Sequence, residues 1–184
     1  MKKLICIFVG IFLLCGCSRK DRPDDILVLR SRMLPTGCSF EANITADYGD
    51  QIFRFTLACQ YDPDGKLQFT VLSPESIAGI AGSIYADGGK LEFADTALSF
   101  PLLADGQLSP VSGPYIMMKA LVGGYITSTG QDGEYLRVSI RDSYEEDATT
   151  VDIWLDEAGD PVRGEILWKN RRILTIEMEN FRIA

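Results

Sequence analysis

Residues 38–59 read CSFEANITADYGDQIFRFTLAC. On the first arm Cys38, Phe40, Ala42, Ile44 and Ala46 alternate with Ser39, Glu41, Asn43 and Thr45. On the second, Phe53, Phe55, Leu57 and Cys59 alternate with Arg54, Thr56, Ala58 and Gln60. A period of two gives each arm one apolar and one wet face, so the stretch reads as a β-hairpin. A two-residue turn at Tyr48-Gly49 sets Asp47 against Asp50, Ile44 against Phe53, Phe40 against Leu57 and Cys38 against Cys59. Counted from the hydrogen-bonded 47/50 pair, 38/59 falls in the closer, non-hydrogen-bonded type. That register joins the apolar faces and brings the two thiols within bridging reach, so a Cys38–Cys59 disulfide is expected, the alternative being two unbridged core cysteines. A bridge across such a loop contributes ~3 kcal/mol in the chain-entropy picture.

Upstream of the hairpin the chain carries an address. It starts MKKLICIFVGIFLLCGC: two lysines, an apolar run from Leu4 to Leu14, then small residues. This reads as a secretory signal over residues 1–16, too short for an ordinary spanning helix. Leu14-Cys15-Gly16-Cys17 resembles the bacterial lipobox, which implies that Cys17 is lipidated and becomes the mature N-terminus. Two acyl chains (palmitate or similar) on Cys17 hold a protein on a membrane, at ~0.8 kcal/mol per buried methylene. Residues 17–23 form the lipidated cysteine and a polar tether, and 24–184 a single domain, long enough for a core of its own. Without the signal, 16 basic residues face 26 acidic ones, a net charge of −10. Such a surface argues against nucleic acid and against a polybasic contact with anionic lipid, so the lipid itself is the anchor. Removing the signal and lipidating Cys17 leaves Cys38 and Cys59, an even pair in an oxidising compartment. The expected location is the extracytoplasmic side of the cell membrane.

Between tether and hairpin, Asp25–Leu34 reads as an amphipathic helix with Ile26, Leu29 and Met33 on one stripe, broadened by Leu27, Val28 and Leu34. Asp24 or Asp25 suits its positive end, and Pro35 and Gly37 end it. Downstream, Asp62-Pro63-Asp64-Gly65 is a turn, and Leu67, Phe69 and Val71 alternate as a third strand. Ser73-Pro74-Glu75 starts a helical turn with Ile77 and Ile80 apolar. Ser83–Ala86 and Lys90–Ala94 form a further hairpin, and Leu98–Leu103, interrupted by Pro101, is an edge or a loop. A second helix runs Tyr115–Val122, with Pro114 in its first turn; it is apolar nearly all round and must be covered. Alternating faces then recur at Leu136/Val138/Ile140, Val151/Ile153/Leu155, Val162/Ile166/Trp168 and Leu174/Ile176/Met178. The fold class is mainly β (α+β): an incomplete antiparallel barrel of about ten strands, with an N-terminal and a mid-chain helix packed in its concave face.

Two segments carry a family likeness. FTVLSPESIAGIAGSIYADGGKLEF (69–93) has a Pro-Glu break after a strand and a Gly-Ile before a hairpin. VDIWLDEAGDPVRGEILWKNRRILTIEMENFRI (151–183) has a Pro turn at Pro161 and a terminal strand closing on Glu179-Asn180-Phe181. Over residues 24–183 the chain resembles the lipoprotein-carrier (LolA/LolB-like) superfamily, and most nearly its clostridial, Gram-positive lipoproteins. The resemblance implies an incomplete barrel with a helical lid around an apolar cavity. In some relatives it implies carriage of acylated lipoproteins or lipids, and in others action through protein partners. Soluble carriers rely on a basic residue near the cavity mouth; Arg54 is the candidate by position, but by parity it points away from the apolar face.

The composition leaves little for catalysis. Histidine is absent, which removes the usual general base, zinc ligand and Ser-His-Asp triad. There is no G-x-S-x-G and no phosphate-cradling glycine loop. Asp62 and Asp64 are too few oxygens for a calcium loop, and Glu145-Glu146-Asp147 reads as a charged turn. No cofactor and no metal are expected, and the chain is not expected to be an enzyme. The candidate cavity lining is Phe40, Phe53, Phe55, Leu57, Tyr115, Met117, Met118 and Leu121; thioethers there would suit an acyl chain, or simply fill a core. Trp154 has the parity opposite to Val151, Ile153 and Leu155, so it is either an exposed partner site or covered by a helix or loop. Two functions follow. The first is a membrane-anchored lipoprotein binding an apolar ligand (acyl chain, lipid or lipoprotein) in the half-barrel. The second is a lipid-anchored scaffold docking an envelope protein or cell-wall enzyme. A continuous cavity open at one end favours the first; a filled interior with an exposed aromatic patch favours the second.

Overall fold

The computed structural model describes residues 24–93, 96–104, 107–144, 149–169 and 171–184. The signal peptide, Cys17 with its tether, and the acidic run Glu145–Asp147 lie outside the described residues.

Eleven strands form one antiparallel sheet that does not close. In chain order they are β1 (Cys38–Asp47), β2 (Ile52–Tyr61), β3 (Leu67–Ser73), β4 (Ala81–Tyr85), β5 (Gly88–Phe93), β6 (Thr96–Phe100), β9 (Tyr125–Asp132), β10 (Tyr135–Arg141), β11 (Thr150–Leu155), β12 (Pro161–Trp168) and β13 (Arg171–Ile183). Two short strands, β7 (Leu103–Ala104) and β8 (Gln107–Leu108), pair separately. Strand order across the sheet is β6-β5-β4-β3-β2-β1-β13-β12-β11-β10-β9, so the last strand returns to pair with the first and the chain's two meanders meet at β1/β13. Helices α1 (Asp25–Met33) and α2 (Gly113–Gly123) pack together and α2 lies against β2 and β10 to β13. This is the incomplete, helix-filled barrel expected from the alternation.

The opening hairpin forms with the expected faces and a different register. Cys38, Phe40, Ala42, Ile44 and Ala46 are all buried. The turn centres on Gly49-Asp50, not Tyr48-Gly49: Tyr48 N–H donates to the Gln51 carbonyl at 3.0 Å, and Gly49 has φ +98°. Glycine thus takes the first central position, where a positive φ is needed in the turns that match strand twist. Moving the centre by one residue moves the register by two. Cys38 faces Tyr61, Phe40 faces Cys59 and Ile44 faces Phe55. The expected Cys38/Cys59 pairing is therefore corrected: the two lie diagonally, and both are free, buried thiols. Diagonal neighbours sit ~7–8 Å apart, beyond the span a disulfide bridges.

The helices follow their patterns. In α1, Ile26, Leu29 and Met33 are buried at 1% exposure or less, but Leu27, Val28 and Leu34 are half exposed, so the stripe is narrower than expected. No side chain caps its start; Asp24 contributes its carbonyl to Leu27 and Val28 instead. Gly37, at φ +76°, ends the helix by donating to the Met33 carbonyl; left-handed backbone suits glycine there. The end of α2 is held by α1. Arg30 donates Nε to the Leu121 carbonyl (2.6 Å) and Nη2 to the carbonyls of Gly124 (2.8 Å) and Ala120 (3.3 Å). One guanidinium thereby serves the carbonyls at a helix C-terminus, where intrahelical partners run out, sharing that of Ala120 with the Gly124 N–H.

Candidate functional site

The concave face is where a carried ligand would sit, and it is occupied. Met117, Met118 and Leu121 on α2 are fully buried, as are Ile26 and Leu57, with Leu29, Met33 and Phe40 at 3% or less. The Met118 thioether lies 3.7 Å from the Cys38 sulfur, and Met117 packs on Gly164, where no Cβ intervenes. Of the eight expected cavity residues, six (Phe40, Leu57, Tyr115, Met117, Met118 and Leu121) are core. Phe55 is half-buried, and Phe53, 45% exposed, lies at the hairpin's turn end, its ring edge-on to Tyr48.

Phe53 borders a mainly apolar pocket of about 680 Å³ with Tyr48, Leu91, Phe100 and Leu108, and Tyr115 lines another, of about 350 Å³, on the flank of α2. Ile116 and Ala120 form its helical wall, with Leu102, Leu108, Val151 and Trp168 opposite; Gly123 and Gly124 complete it, and Lys119 and Asp142 supply its charges. Sequence reasoning missed Leu102, Leu108 and the glycines, because they sit in a connection, in the two-residue strand β8 and at a helix end. The one available signal was the all-round apolarity of α2. Next to this pocket the chain enters β9. Tyr125 stacks on Tyr144 with ring centroids 4.0 Å apart; Tyr144 is 80% exposed, and Ile126 is exposed beside them.

On the convex face Trp154 is only 7% exposed. The guanidiniums of Arg137 (5.3 Å) and Arg163 (5.0 Å), from the strands on either side, lie over its ring, and its Nε1 donates to Asp132 at 2.8 Å. The same arginines hold two buried carboxylates. Asp152 accepts from Arg137 and Ser139, both at 2.5 Å, and Glu165 accepts from Arg163 and from Arg172 (3.0 Å). These carboxylates are committed to ion pairs. Arg54 is exposed on this convex side, as its parity requires.

The thiols offer no nucleophile. Burial pushes Cys38 up to about 12, and burial, with Cys38 nearby, pushes Cys59 up further. Only a thiolate attacks or ligates, so both are inert at neutral pH. Among the described residues no group of three or more Asp, Glu or Cys could hold a metal ion, and no helix is long and apolar enough to cross a membrane.

No protein-family model matches the chain, and no curated protein matches it in sequence. Solved structures do match. A DUF1329 family protein from Desulfovibrio piger aligns over 87% of this chain and 91% of its own at 10% identity, with a TM-score of 0.50. A LolA superfamily protein from Nitrosomonas europaea covers 88% and 93% at 8% identity (TM-score 0.46). A chain from the complex of the CwlD amidase with the GerS lipoprotein, from Clostridioides difficile, covers 92% and 100% at 12% identity (TM-score 0.46). At these identities the likeness is one of fold alone.

Proposed function

We propose that this chain is an envelope lipoprotein, held on the extracytoplasmic side of a membrane by lipid on Cys17, and that its half-barrel is a non-catalytic scaffold for a protein partner. The observation that carries this reading is the filled concave face. A carrier needs room for a chain; here α1 and α2 put Met118, Leu121, Leu29 and Met33 where the chain would lie. Among the apolar side chains left exposed, Tyr125, Ile126 and Tyr144 stand together, with Tyr144 the most exposed at 80%, and aromatic residues are the side chains that anchor protein interfaces. With buried, protonated thiols and no histidine, binding is the chemistry these residues support.

The experiment is cross-linking of the full-length lipoprotein in its native membranes, followed by mass spectrometry of intact complexes. A stoichiometric protein partner with cross-links on the β9 side is expected. Co-purified lipid without protein would overturn the scaffold reading. The 350 Å³ pocket supports a second reading, since it falls at the low end of volumes that hold small ligands. A short apolar ligand would then sit beside α2, outside the half-barrel's core.

A further inference from the structure

The sheet has two open edges, and they are not alike. β6 is five residues long and runs straight into Pro101, a residue that cannot extend a ladder. β9 is eight residues long, YITSTGQD; every residue is exposed, and it has no proline, lysine or arginine. Its one irregularity is at Thr127, skipped between the Ser139–Ser128 and Ile140–Ile126 pairs, whose hydroxyl donates back to the Ser139 carbonyl. Beyond it, Ser128–Asp132 pair regularly with Tyr135–Ser139. The backbone groups on their far side meet no other strand of the sheet. The surroundings are polarised along the strand. At the Asp132 end stand Asp132 and Glu134, with Asp156 close enough to act on Tyr135. At the other end stand the Tyr125/Tyr144 pair and the 350 Å³ apolar pocket walled by Gly123 and Gly124.

We infer that β9 takes up an extended segment of a protein partner as a twelfth strand, basic at its N-terminal side and carrying an apolar side chain at its C-terminal side. This deepens the scaffold reading and rests on it. Added antiparallel, like every other neighbour in the sheet, the segment starts beside Asp132 and Glu134 and ends beside Tyr125. Main-chain bonds along Ser128–Asp132 supply affinity, and the end pocket supplies selectivity, as in other strand additions. Charge names the occupant. Residues 24–184 hold 13 basic and 25 acidic residues, a net charge of −12. A second copy would bring two such domains edge to edge; a basic segment is drawn to one.

The test uses full-length protein in detergent and a synthetic peptide: two lysines, five alternating valines and threonines, then two leucines. Saturable binding is expected, with slowed hydrogen exchange at the outward amides of Ser128–Asp132, and loss of binding when the lysines become glutamates. Thr129→Pro and Gly130→Pro separate the backbone's two sides, because neighbouring amides point in opposite directions. The variant whose amide faces outward keeps the wild-type melting temperature and loses peptide binding by about tenfold or more. No binding, or binding without protection of β9, overturns the inference. So does a concentration-dependent dimer abolished by the outward proline, which would make a second copy the occupant. If native cross-linking still finds a protein partner but none of its cross-links touch β9, the edge inference fails while the scaffold reading stands. If it finds no protein at all, the scaffold reading itself fails.

Discussion

A thiol keeps its proton when neither water nor a cation is near to stabilise the thiolate. Cys38 and Cys59 are in that position, 1% and 5% exposed, and both titrate well above the ordinary value of 9.0. A raised folded pKa means the native state binds the proton more tightly than the unfolded chain. The contribution is whole below pH 9 and falls as pH rises toward 12, at about 1.4 kcal/mol per pH unit for each thiol. Above pH 10 the tyrosines add to the fall, Tyr61 being pushed up to about 12 by burial and Tyr48 and Tyr115 raised for the same reason. Urea midpoints should therefore hold steady from pH 7 to 9 and drop steeply above it. Cys59→Ala, whatever it costs at pH 7, should flatten the slope between pH 9 and 10; an unchanged slope would mean the thiols are not what titrates. Gly164 makes a second prediction at this scale. A Cβ there would lie 2.4 Å from Met117 Sδ and 3.0 Å from Cε, on a side chain with no exposed surface to retreat into. Gly164→Ala should cost about 1–3 kcal/mol by overpacking. Adding Met117→Ala should recover part of it, a coupling that a double-mutant cycle in urea would read.

Helices and strands show what a sequence discloses and what it withholds. Alternation disclosed the faces of β1, β3, β10 and β11 because a period of two survives any even slip. Register was not disclosed. Tyr48-Gly49 and Gly49-Asp50 are both acceptable turn centres, and only the pairing of the whole strand chooses between them. The thiol pairing hung on that choice and was lost with it, and so was Phe53's place over the core. Forming the bridge would need a slip of two residues and would take Gly49 off its turn position. Counting thiols in the unfolded protein without reductant should accordingly return two unbridged thiols, Cys38 and Cys59. Nor could local pattern reveal the cover of Trp154, since Arg137 and Arg163 come from separate strands. The joint between the helices is equally long-range. Arg30 reaches across some ninety residues of chain to three carbonyls at the end of α2. Arg30→Met should lower stability by about 2 kcal/mol, as expected for lost charged hydrogen bonds. Arg30→Lys should recover only a fraction, because an ammonium lacks the fork that serves several acceptors at once. Equal stability of the three proteins in a denaturant series would sink this account of the cap.

At the scale of the molecule, what separates scaffold from carrier is whether the concavity is a space or a core. Carriage needs apolar surface left uncovered until cargo arrives; here α2 spends its apolar surface on the sheet, and the apolar hollow of about 350 Å³ that it borders lies on its flank. The two states differ in how they answer a deletion. Where a side chain borders an existing space, its removal enlarges the space and costs little. Where it is close-packed, removal leaves a new void and costs both transfer energy and lost contacts. Met118 is the side chain to remove, since it is fully buried and its sulfur meets Cys38. Met118→Ala should cost about 2–5 kcal/mol, in the range of fully packed core positions. The void it leaves would be lined by apolar groups and dry, and such voids take up small apolar molecules. Saturating benzene should thus raise the melting temperature of Met118→Ala and leave the wild type unmoved. A wild-type protein that gains as much from benzene as the variant, or a variant that loses less than about 1 kcal/mol, would mean that room already exists inside the half-barrel. The reading would then return to a carrier.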